Sequence, residues 1–143
     1  MTEELSAQAI YELGLELDPF AIASGTRMGH VHLSVKNGRE VSAFSQKSLG
    51  LEDKFTIPHA SWIASGAYHH HLAVNEWGGK NLVRREHGMV GLAYYVVEVE
   101  NKEFLVNLFT QAQDWQEQLR WISSSEFSVT DKDGIVTRVR VEN

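Results

Sequence analysis

There is no cysteine in this chain of 143 residues. Disulfides, thiol catalysis and thiolate metal sites are thereby excluded, and any metal must be held by His, carboxylate, Tyr or water. Basic charge is also scarce, with 13 Lys and Arg against 19 Asp and Glu and a net charge of -6. With no basic block to compensate, this argues against a nucleic-acid partner. No apolar run approaches the roughly 20 residues that a membrane span needs, and the N-terminus lacks the pattern of a secretory signal. A soluble, cytoplasmic protein with no membrane partner is the expectation. The remaining composition, 43% hydrophobic and 22% charged, is ordinary for one globular domain with a real core.

Histidine, by contrast, is concentrated in two places. Gly66-Ala67-Tyr68-His69-His70-His71-Leu72-Ala73-Val74-Asn75-Glu76-Trp77 carries three in a row ahead of a short apolar run, too internal and too short for an expression tag. Met28-Gly29-His30-Val31-His32-Leu33-Ser34-Val35 carries a second, alternating pair. A strand sends successive side chains to opposite faces. His30 and His32 then share one face, His69 and His71 another with Ala73 and Asn75, while His70 goes with Leu72 and Val74 and reads as structural. Imidazole is the commonest metal ligand. The alternative for the triplet is a set of hydrogen-bonded imidazoles lining a wall.

The rest of the chain has a repeating grammar. A short helix is expected over 4–14, then a lead-in segment with Asp18-Pro19, a strand over 28–35, a helix over 38–48 stopped by Gly50, and strands over 53–57, 60–67 and 69–75 broken by Pro58 and Gly66. A polar loop over 76–89 follows. The β-branched and aromatic run Gly91–Val99 is a strand, Lys102–Trp115 a helix, and 119–123, 126–130 and 135–141 are strands, with Asp133-Gly134 as a turn between the last two. The pattern is βαβββ twice, at roughly sixty residues per copy. The fold class is α+β, two tandem βαβββ modules forming a half-open mixed-sheet barrel around a cavity, with a helix over the other face of each sheet.

Four segments resemble the vicinal oxygen chelate superfamily, the glyoxalase, bleomycin-resistance and extradiol-dioxygenase group. They are Gly25–Leu33, Ala43-Phe44 with Leu49-Gly50-Leu51, Tyr68–Trp77 and Asp131-Lys132-Asp133-Gly134. Within the group, the Tyr68–Trp77 segment is most similar to the C-terminal half of bacterial catechol 2,3-dioxygenase-like ring-cleaving proteins. The resemblance implies an N-terminal helix and linker over 1–25 and a domain over 26–143, with modules 26–78 and 89–143. The family usually carries another, N-terminal pair of modules, so a half-length relative and the C-terminal domain of something longer are both open.

In ring-cleaving relatives two His and one carboxylate commonly hold the metal. The resemblance places the first module's ligands at His30 and His71 and the second module's at Tyr94 and Arg138. Neutral phenol, with a free pKa of about 10, is a poor ligand for ferrous iron, and guanidinium cannot ligate because it stays protonated. The resemblance therefore implies a degenerate centre for Fe(II) or another divalent metal at His30 and His71.

Strand register places His30, His32, His69, His71, Tyr94, Arg138 and Arg140 on the cavity floor, a surface for a small aromatic or anionic ligand. His32, Arg138 and Arg140 are the expected ligand contacts. His69 is the acid–base candidate, and Tyr94 is either cavity wall or catalytic acid. Arg138 and Arg140 have a plainer alternative, ion pairs with Glu98 or Glu100. The rival function is an active extradiol ring-cleaving dioxygenase whose metal is completed by Glu98, Tyr94 or a partner chain. A third expectation is a homodimer that completes the cavity.

Overall fold

The computed structural model describes residues 6–14, 22–84, 86 and 88–142. Helix α1 spans Ala7–Gly14; the start of the expected helix at residues 4 and 5, and the Asp18-Pro19 segment, lie outside the described residues. The first module is β1 (Val31–Ser34), α2 (Gly38–Leu49), β2 (Glu52–Ile57), β3 (Ala60–Ala64) and β4 (Leu72–Asn75). The second is β5 (Tyr95–Val99), α3 (Lys102–Gln111), a 3₁₀ turn (Ala112–Gln118), β6 (Leu119–Ser123), β7 (Glu126–Thr130) and β8 (Val136–Val141). The helix expected over Lys102–Trp115 thus keeps α-geometry only to Gln111 and tightens beyond it.

Each module folds into one four-stranded mixed sheet, ordered β1-β4-β3-β2 and β5-β8-β7-β6. The first and last strands pair in parallel, and the helix makes the crossover that a parallel pair requires. The other pairings are antiparallel. The outer hairpin of each sheet carries a register shift, at Asp53/Phe55 in one and at Trp121/Ser123 in the other. The two four-stranded sheets do not close into a barrel.

The helices begin alike. The Asn37 side chain accepts the Glu40 N–H at 3.2 Å, and the Asn101 side chain accepts the Phe104 N–H at 2.9 Å, each satisfying a donor that the first helical turn leaves over. Gly50 ends α2 in the left-handed region (φ 65°) with its N–H on the Gln46 carbonyl. A Cβ there would also meet Leu108 Cδ2 at 3.2 Å, because α3 packs against the end of α2.

Alternation sets the two faces of each sheet. Leu33 and Val35 are buried under α2 while His32 and Ser34 are exposed on the opposite, concave face. Val99, Thr137 and Val139 are buried, whereas Val96, Glu98 and Arg140 are exposed. The helix-side residues of both modules join into one core, in which Ile63, Leu105, Phe127 and Val139 have no exposed surface. Burying each such side chain is worth about 1.5–3 kcal/mol. The buried hydroxyls of Ser45 and Ser48 donate to the Val41 and Phe44 carbonyls within α2, so none is stranded.

Polar contacts also clasp one module to the other. Asp133 Oδ2 accepts the Lys36 N–H at 3.2 Å, and Lys132 pairs with Glu40 at 3.5 Å. Beside them, Asp131 Oδ1 accepts the N–H groups of Asp133 and Ile135, both at 2.9 Å. Burial nevertheless pushes the Asp131 carboxyl up to about 6. Burial likewise raises the Tyr95 phenol to about 12, against the opposing hydrogen bond with Thr137. No helix among the described residues is long and apolar enough to cross a membrane.

Candidate functional site

His30 immediately precedes β1 and His32 lies within it, one strand period apart on the concave face. The triplet His69–His71 is not in a strand. Gly66 turns the chain at φ 62°, and β4 starts only at Leu72. Backbone bonds from His71 N–H to Ile63 O (2.9 Å) and from Val31 N–H to His71 O (3.0 Å) fasten the end of this turn alongside β1. The period-two rule therefore does not reach His70. Instead of pointing to the helix face as a structural residue, it sits with the concave-face histidines, which corrects the sequence-based expectation.

The result is a cluster of imidazoles. The Nε2 atoms of His32 and His70 are 3.2 Å apart, and the ring centres of His30 and His70 are 4.3 Å apart. His30, His32 and His70 each offer a ring nitrogen within 4.8 Å of the others, a triad able to hold a metal ion. His69 stands edge-on to His70 at 4.4 Å. Burial, then the neighbouring imidazoles beginning with His30, hold His70 below the usual histidine range. Burial and His69 do the same for His71. His71 is engaged differently: its Nδ1 accepts the Ser65 N–H at 3.2 Å, and the Tyr68 ring lies against it, tilted by 35° with its centre 4.7 Å away.

Between the modules lies a cavity of about 570 Å³, within the usual range for small-molecule sites. Leu51, Leu72 and Val97 give it apolar walls, and His30, His71, Arg27 and Arg140 give it polar ones. His30 therefore belongs to both the cavity and the cluster. Arg140 is bonded to Glu98 Oε1 through Nε (3.0 Å) and Nη2 (2.6 Å), and this carboxylate raises its pKa further. Strand register explains the pair, since Glu98 lies directly across from Arg140.

Arg138 and Tyr94 stand apart from that cavity as a unit. Tyr94 is one residue short of β5, and the Arg138 guanidinium lies 3.9 Å from its ring centre. Arg138 also pairs with Glu126 at 3.4 Å, rather than with Glu98 or Glu100. Arg120, on the same row as Arg138 across β7, bonds Ser128 at 3.3 Å. Of the seven residues singled out from the sequence, His30, His71 and Arg140 line the cavity. His32 and His69 join the histidine cluster. The sequence reading missed Arg27, which lines the cavity near Glu142, its ion-pair partner at 3.5 Å; no local pattern marks it.

The fold of this chain is similar to that of solved structures. A glyoxalase/dioxygenase from Nostoc punctiforme superposes with a TM-score of 0.64 over 86% of this chain and 97% of that one, at 14% identity. A lactoylglutathione lyase from Agrobacterium tumefaciens gives 0.58 over 83% and 96%, also at 14% identity. This is the glyoxalase/dioxygenase fold. At such identities the likeness shows the fold alone. In sequence, the vicinal oxygen chelate resemblance extends to a catechol-2,3-dioxygenase of Bacillus subtilis (strain 168), 32% identical over 87 residues. That match covers 59% of this chain and 30% of the relative, so the chain accounts for under a third of the length of the curated protein it matches. No protein-family model matches the chain.

Proposed function

We propose that this domain binds a small aromatic or anionic molecule in the cavity between its modules, beside a metal centre to which only the first module brings donors. The observation that carries the reading is the cavity lining, with imidazole from His30 and guanidinium from Arg140 set among apolar walls. A planar anion of that size would bury its ring against Leu51 and Val97 and exchange Glu98 for its own acid group at Arg140. At the positions where the resemblance looks for the second module's donors, Tyr94 and Arg138 are stacked on each other. A guanidinium cannot ligate a cation, because it stays protonated. A divalent metal, Fe(II) included, would be held by histidines of the first module and would supply Lewis acidity at the cavity mouth.

Isothermal titration against a panel of carboxylates and phenolates tests this. At least one should bind, with affinity lowered about tenfold in Arg140→Ala, in line with the loss of a charge-assisted hydrogen bond. A panel with no binder overturns the reading.

The similarity to a catechol-2,3-dioxygenase supports a second reading, an active extradiol ring-cleaving enzyme. His69 would then be the acid–base group, within reach of a ligand that touches His30. Protein loaded anaerobically with ferrous iron should cleave a catechol on admission of air; no ring-cleavage chromophore across several catechols defeats it. In either reading a homodimer would complete the cavity, and light scattering that finds a monomer removes that element.

A further inference from the structure

We propose that His30, His32 and His70 form a transition-metal site of their own, built from the first module alone and selective for zinc-type ions. This rests on the reading above that the first module holds a metal, but it differs from the pairing of His30 with His71 that the resemblance implies, and it does not depend on whether the cavity takes a ligand.

Geometry is the first support. Two nitrogens, each about 2.0–2.1 Å from a tetrahedral zinc ion, stand about 3.3–3.4 Å apart. The Nε2 atoms of His32 and His70 are already 3.2 Å apart, and His30 brings a third nitrogen within 4.8 Å of both. His30 and His32 are exposed and His70 is half-buried, so small ring rotations can close the remaining separation. Without an ion, a single shared proton can satisfy only the His32–His70 contact.

Donor chemistry is the second. Among the described residues the group holds three imidazoles and no carboxylate. Imidazole suits zinc, copper, nickel and iron, whereas Mg²⁺, Ca²⁺ and Mn²⁺ favour oxygen donors, and the ferrous oxygenase triad adds a carboxylate that this group lacks. Three protein ligands with one side open to solvent match zinc sites that keep a position for water, not closed structural ones. Such an ion supplies Lewis acidity and a bound water of lowered pKa.

The third support is what His71 does instead. Its Nδ1 is committed to the Ser65 N–H and its ring to Tyr68. In this arrangement His71 is a cavity wall and His70 the ligand.

The untagged chain, titrated with Co²⁺ as a visible-absorbing probe and then with Zn²⁺ as competitor, tests the site. One equivalent should bind with the absorption of low-coordinate Co²⁺, and a large excess of Mg²⁺ or Mn²⁺ should not displace it. His30→Ala, His32→Ala and His70→Ala should each weaken binding on the order of a hundredfold or more, beyond the 10–100-fold typical of outer-shell changes. His71→Ala should stay within about tenfold. Circular dichroism of each variant controls for folding, and imidazole ¹H–¹⁵N spectra should show His30, His32 and His70 shifting together as Zn²⁺ is added. Loss of binding in His71→Ala with His32→Ala and His70→Ala unaffected overturns the proposal in favour of the implied pair. Absence of stoichiometric Co²⁺ and Zn²⁺ binding by the folded wild-type chain overturns it outright, as does equal competition by Mg²⁺ or Mn²⁺.

Discussion

Arg138 is held between two partners: its guanidinium lies 3.9 Å from the centre of the Tyr94 ring, and its Nη1 is 3.4 Å from Glu126 Oε1. The contact is partly shielded, with the Arg138 side chain 32% exposed and Glu126 19%. A cation over an aromatic face in such a setting is worth about 0.5–2 kcal/mol. A double-mutant cycle of Tyr94→Ala and Arg138→Ala, read by urea denaturation, should give a coupling energy in that range. A coupling indistinguishable from zero would mean that the stacking contributes nothing to stability.

Gly50 meets two demands at once, a left-handed backbone and close packing against Leu108. Gly50→Ala should destabilise the chain by about 1–2 kcal/mol, from the αL penalty together with the crowded Cβ. Gly50→Asn tolerates the backbone better but keeps the Cβ, so it should fall between the two. Denaturant midpoints for the three proteins measure the order.

Burial raises the Asp131 carboxyl to about 6 in the fold, from the 3.8 of a free aspartate side chain. The native state therefore binds this proton more tightly than the unfolded chain does. The stabilisation it gives is fully present below about pH 4 and is lost as the pH rises through about 6. Relative to Asp131→Asn, which keeps an acceptor for the Asp133 and Ile135 N–H groups without the charge, the wild type should lose about 1–3 kcal/mol between pH 4 and pH 7. Urea melts of both proteins at several pH values provide the check. A constant difference would show that Asp131 titrates like a free side chain.

The helix caps offer a test of the duplication. Asn37→Ala and Asn101→Ala each remove one side-chain acceptor from a first helical turn, at about 1 kcal/mol apiece. Because the two caps lie in different modules, their effects on the thermal or urea midpoint should add within about 0.5 kcal/mol.

Much of the fold was legible because both of its periods are local. Leu33 inside and His32 outside, or Val139 inside and Arg140 outside, follow from alternation along a strand. Gly50 marks the end of α2 by its own backbone chemistry. The site was less legible. His70 could not be placed by alternation, because the turn after Gly66 delays β4 to Leu72. The partner of Arg140 was among the alternatives read from the sequence, Glu98, whereas that of Arg138 was not. Glu126 lies on β7, and its approach depends on how β7 registers against β8, which a local pattern does not encode. Tyr94 fell one residue outside its strand, at an element boundary, where sequence patterns are weakest.

The paired register shifts in the outer hairpins bear on how copies of this chain meet in solution. β2 and β6 are the outer edge strands, and each skips one residue against its neighbour, Lys54 in one and Ile122 in the other. A bulge at an edge twists its unpaired N–H and C=O groups out of line, and a lysine there adds a charge that an incoming strand would have to bury. Both rims are thus blunted against strand-to-strand growth into fibrils. The other two edges, β1 and β5, border the cavity between the modules, where an approaching chain meets a ligand pocket before it meets a free ladder.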